Sequence, residues 1–185
     1  MDTPIMPERS RANEQTSEVL AALNDQLANE LFANHIYHAM QAYFLYHNLP
    51  GLAHWMEVQA AEEDTHARRI FDFIIERGWK VTIKAVPEPP HDWDSPTAAF
   101  QAAYDHEHGF TEIFHEIYRK AEAAGDIATR IFLQWFITEQ VEEEAVASEA
   151  LAKMKMVESS PAGLYMLDRE LGSRRGDTGA QAAGG

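Results

Sequence analysis

Several acids, a glutamine and a histidine stand where this sequence should be placing core residues. At helical spacing, "FLQWFITEQVEEEA" (132–145) runs from Phe132, Trp135 and Phe136 to Glu139 and Glu143, then on to Val146 and Ala150. Three other stripes do the same: Leu23, Leu27, Glu30, Asn34, Tyr37; then Met56, Gln59, Glu63, His66, Ile70; then Phe100, Ala103, Glu107, Phe110. An ionised carboxylate without a partner in an apolar interior costs several kcal/mol. Taken singly, each acid reads as a satisfied polar core group or a misread helical phase. Converging acids would repel one another, and most would be forced to hold protons. A pair of divalent cations removes that repulsion. The donors are carboxylate oxygen and imidazole with no cysteine in the chain, which favours a hard first-row metal such as iron or manganese.

Long helices must position these groups. One amphipathic pattern runs from about Thr16 to Asn48, where "NLPG" breaks it, and a second from Gly51 to Gly78. Ser95-Pro96 reads as an N-cap with proline in the first turn, opening a third segment that reaches "AAGD" at 123–126. A fourth runs from Asp126 to about Val157, and "GLYMLDREL" makes a short fifth helix at about 161–172. The proline-rich stretch 79–95 cannot continue a helix. Each long helix is about 45 Å at ~1.5 Å per residue, and the stretch, fully extended, reaches ~55 Å. The expected fold is all-α, a four-helix bundle with one long crossover and a short fifth helix. Residues 1–15 read as a flexible N-terminal arm, 16–172 as one domain (the bundle about 16–157), and 173–185 as a disordered tail.

The depths of the polar groups agree. Measured from Asn48, Glu30 lies 18 residues before the turn, and Glu63 and His66 lie 15 and 18 after it. Measured from Gly125, Glu107 lies 18 before, and Gln140 and Glu143 lie 15 and 18 after. All sit about 22–27 Å from a turn, near mid-bundle. The carboxylates are expected to point inward and converge.

At 185 residues with 45% hydrophobic content, the chain suits a single domain with a sizeable core. The absence of cysteine excludes a disulfide framework and a thiolate metal site. A net charge of −15 disfavours nucleic acid as a partner and suits attraction of cations, although a solvated acidic surface is its commoner meaning. Neither a bilayer-spanning run nor a secretory pattern is legible, so a soluble cytoplasmic protein without a membrane partner is expected.

At "LNDQLANEL", "AAEEDTHARRIFDFI", "DHEH", "FLQWFITEQVEEEA" and "GLYMLDREL" the sequence resembles the ferritins, most of all the non-haem bacterial ferritins, over about residues 20–172. A carboxylate metal site inside a helix bundle is a known property of that family, so the resemblance itself implies the arrangement. It implies that Glu30 and His66 hold one iron, that Glu63 bridges, and that Glu107 and Glu143 hold a second iron beside Gln140. It matches Glu62, Glu139 and Glu142, with Glu143 shared, to a third iron site. Tyr37 and Trp135 match aromatic residues that supply electrons or steer radicals; core packing is the alternative for both.

It further implies a ferroxidase that passes electrons from Fe(II) to dioxygen or hydrogen peroxide. The ferric mineral would be stored in a hollow homo-oligomeric shell of 24 subunits, with "GLYMLDREL" lining four-fold channels. Two departures argue against a haem: Asp64 follows the bridging position where haem-binding relatives carry methionine, and Gln140-x-x-Glu143 replaces a second Glu-x-x-His. His35, His38, His47, His54, His106, His108 and His115 lack a partner pattern and read as surface or packing residues. A di-iron oxidase without storage and a DNA-protecting cage are the rival readings. The missing cysteine argues against the first, and a ligand set within one bundle against the second.

Overall fold

The computed structural model describes residues 8–174, with side chains from Thr16 onward. The helices are α1 Glu8–Tyr46, α2 Pro50–Glu76, α3 Pro96–Ala123, α4 Ile127–Val157 and α5 Pro161–Leu171. The first begins ahead of Thr16. Residues 8–15, "ERSRANEQ", carry no apolar stripe but are rich in residues that favour helix, so propensity extends the helix beyond its periodic part. Of the expected arm only 1–7 precede the helix; those residues and 175–185 of the expected tail lie outside the described part.

The breaks are chemical. Asn48 takes φ 59° between α1 and α2, and Gly125 takes φ 66° between α3 and α4, the left-handed conformation that ends helices. The Ser95 side chain accepts from Ala98 N at 3.1 Å at the start of α3, and Asp126 Oδ1 does the same from Thr129 N, also at 3.1 Å, at the start of α4. Arg77, at the end of α2, donates to Asp126 Oδ1 at 2.8 Å and so ties the two hairpins together at that end.

The connection between the hairpins runs along α1. Near its start, Asn24 Oδ1 accepts from Thr82 N at 2.6 Å; near its end, Trp93 packs edge-on against Tyr43 at 5.4 Å. Those two α1 anchors are ~28 Å apart at helical rise. The crossover therefore spans most of the bundle's length, as its reach allows.

Two apolar clusters fill the bundle. One gathers Phe44, Trp55, Met56, Phe100 and Met154; the other gathers Leu23, Ile70, Phe114, Leu133 and Phe136. The polar layer lies between them.

The fifth helix docks on its own bundle. Leu167 and Leu171 are buried, while Tyr165 and Met166 are exposed. Leu49 offers no side-chain cap to α2. Asp168 of α5 replaces it, its Oδ1 accepting from Gly51 N at 2.8 Å and Leu52 N at 2.9 Å. This approach requires glycine, since a Cβ on Gly51 would lie 1.7 Å from the Asp168 carbonyl oxygen.

Candidate metal centre

Four helices deliver the polar layer. α1 brings Glu30, α2 brings Glu63 and His66, α3 brings Glu107, and α4 brings Gln140 and Glu143. Glu30 is 0% exposed, and Glu63 and Glu107 are 1% exposed. Carboxylates at that depth stay ionised only beside positive charge.

His66 is the first partner. Its Nδ1 lies 3.7 Å from Glu30 Oε2 and 3.7 Å from Glu63 Oε2. Those two oxygens are buried and accept no hydrogen bond, so they are free to take a cation. Glu30, Glu63 and His66 each offer one ligand atom within 4.8 Å of the others, and so do His66, Glu139 and Glu143. His66 belongs to both groups.

Burial disfavours the charged imidazole, but the Glu30 and Glu63 carboxylates hold His66 well above its ordinary value. Glu30 moves the other way: burial would raise it, and its contacts with His66 keep it below the usual carboxylate range. Burial pushes Glu63 well up, with Glu107 adding repulsion. Burial and Glu143 push Glu107 up to about 8. Without metal, the centre holds protons where it would otherwise hold cations.

Neighbouring side chains fix the acids. Gln26 Nε2 donates to Glu30 Oε1 at 2.7 Å, and Gln59 Nε2 donates to Glu143 Oε2 at 3.0 Å. The Tyr37 hydroxyl donates to Glu107 Oε1. Burial, with Glu107 and Glu63 nearby, raises Tyr37 well above the ordinary phenol value, so it remains a donor at neutral pH. Gln140 Nε2 donates to the Glu107 backbone carbonyl at 3.0 Å, pinning α4 to α3 at the depth of the site. The Trp135 ring meets His66 edge-on at 5.5 Å and carries the Arg69 guanidinium over it at 4.0 Å.

A family model described as a ferritin-like domain matches residues 20–157. The chain belongs to the ferritin family. It is 35% identical over 153 residues to a bacterial non-heme ferritin of Bacteroides fragilis, covering 83% of this chain and 95% of that one. It is 34% identical over 154 residues to a bacterial non-heme ferritin of Escherichia coli, covering 83% and 93%. Among solved structures, the open-pore ferritin of the hyperthermophilic archaeon Archaeoglobus fulgidus superposes with a TM-score of 0.84. That pair shares 42% identity over 85% of this chain and 98% of the other.

In this ferritin, the residues matched to a third site have different surroundings. Glu139 lies with His66 and Glu143, Glu142 is exposed, and Glu62 is paired to Arg174 at 3.0 Å. Sequence reasoning assigns no role to Gln26 or Gln59. The usable signal for Gln26 is its i−4 spacing to Glu30, which places the two side chains on one helical face. His106 is half-buried and packs against Tyr37 and Phe110, with a buried Nε2 that has no hydrogen-bond partner. His54 and His108 meet Glu57 and Glu144 at the surface.

Proposed function

We propose that this ferritin stores iron and that its bundle core is the ferroxidase. The observation that carries the reading is the pair of buried, unpartnered oxygens on Glu30 and Glu63, both facing His66 Nδ1. Such a pair is costly in a metal-free interior and is relieved by a cation.

Ferrous ions are the substrate. Glu30 and His66 hold one, Glu63 bridges, and Glu107 with Glu143 holds the second beside Gln140. Binding displaces the protons held by Glu63, Glu107 and His66. Each ferrous ion then gives up one electron. Dioxygen takes two electrons and two protons and leaves as hydrogen peroxide; hydrogen peroxide taking two electrons and two protons leaves as water. Tyr37 and Trp135 stand beside the acids and His66, where a residue that supplies an electron or steers a radical belongs. Glu62, Glu139 and Glu142, with Glu143, are the acids of a further iron site, which Glu62 joins once it leaves Arg174.

The store is a hollow homo-oligomer of 24 chains. The exposed apolar residues Tyr165 and Met166 on α5, with Tyr46 at the end of α1, support assembly through that end of the bundle. An anaerobic ferrous titration followed by air tests the reading, counting irons bound and irons oxidised per subunit. Two bound and both oxidised rapidly is the expected result; no rapid oxidation would overturn it. A monomer or dimer in light scattering at micromolar concentration would instead promote the small di-iron oxidase.

A further inference from the structure

Past α5 the chain turns back along α2, and Arg174 lies against one face of that helix. Its carbonyl oxygen is 3.1 Å from His54 Nε2, and its guanidinium sits 4.8 Å above the Trp55 ring. Nη2 donates to Glu62 Oε2 at 3.0 Å, and Nη1 donates to Gln59 Oε1. The pair is mostly buried, with the Arg174 and Glu62 side chains 19% and 14% exposed. The amide of the same Gln59 donates to Glu143 Oε2 at 3.0 Å. One arginine from the C-terminal segment thus touches a candidate outer-site acid and, through a single glutamine, a candidate ligand of the inner centre.

We propose that Arg174 is an internal cation that competes with metal for Glu62 and, through Gln59, positions Glu143. This rests on the reading above in which Glu62 takes a cation. A guanidinium does not lose its proton near neutral pH, so it leaves Glu62 only when displaced. A metal ion reaching Glu62 Oε2 must move it. Gln59 then loses the donor on its oxygen, and the amide that fixes Glu143 becomes free to turn. The outer site therefore binds more weakly than its acids alone would dictate, and filling it loosens the inner centre toward the α2/α4 face.

The test is calorimetric titration of the intact, iron-free protein with zinc(II). Arg174→Gln keeps an amide that can bond to Gln59 but removes the charge. It should tighten the weaker class of zinc sites about tenfold, ~1.4 kcal/mol, and leave the tighter class in place. Arg174→Lys, which keeps the charge, should stay near wild type. Glu62→Gln should abolish the weaker class, and adding Arg174→Gln to it should change nothing further. If Glu62→Gln abolishes the weaker class but Arg174→Gln leaves it untouched, the competition is overturned and the outer site stands. If Glu62→Gln itself changes nothing, the outer-site reading fails and the proposal falls with it.

Discussion

The Tyr37 hydroxyl donates to Glu107 Oε1 across the contact between α1 and α3. This bond opposes the burial that raises Glu107. Tyr37→Phe keeps the ring against His106 but removes the donor. Loss of such an outer partner commonly costs a metal site about 10–100-fold in affinity or activity. We expect ferrous oxidation in Tyr37→Phe to slow within that range, with the folded bundle intact by circular dichroism. Unchanged stopped-flow traces would make Tyr37 a packing residue.

The metal-free protein should lose stability as pH rises. Folded Glu107 titrates near 8 against an ordinary value of 4.5, so between those values the folded chain holds a proton that the unfolded chain has released. Its stabilising contribution is complete below 4.5 and is lost as pH rises toward about 8. Urea unfolding across that window should show the decline, Glu107→Gln should make it shallower while Glu63 and His66 keep their share, and bound zinc(II) should reverse it. A stability that climbs steadily from about pH 5 to 8 without metal would contradict the buried, protonated Glu107.

Much of this is legible in the sequence because helical periodicity and turn chemistry act locally. Asn48 and Gly125 fix the depth count, and with it Glu30, Glu63, His66, Glu107, Gln140 and Glu143 fall in one layer. What stays hidden depends on contacts between segments distant in sequence. Nothing near Asp168 says that it caps α2, and nothing near Arg174 says that it meets Glu62. The start of α1 is hidden for a different reason. Its first residues favour helix but carry no apolar stripe in the sequence, and the periodic signal reports only such a stripe.

Asp168→Ala should undock α5. It leaves two backbone donors at the start of α2 without their acceptor, a loss of about 1–3 kcal/mol. Scanning calorimetry should show a lower melting temperature, and light scattering a less stable particle. Gly51→Ala should do more, because its Cβ would overlap the α5 backbone. Wild-type melting in both variants would show that α5 does not depend on this junction.

Glu63→Ala and His66→Ala should each abolish rapid ferrous oxidation and keep the fold. Neither side chain contributes apolar packing on the scale of the flanking clusters. Removing Glu63 also relieves a buried acid that burial already disfavours in the metal-free state. Stopped-flow absorbance with a thermal melt of the same sample separates the two effects. Loss of the folded protein with oxidation unchanged in the remainder would count against the assignment.

The most direct measurement is anomalous diffraction at the iron edge from crystals soaked anaerobically in ferrous iron. Two peaks inside each bundle are predicted, one contacting Glu30, Glu63 and His66, the other contacting Glu63, Glu107 and Glu143. Iron bound only at the outer surface, with Glu30 and Glu63 still turned to a metal-free His66, would contradict the account.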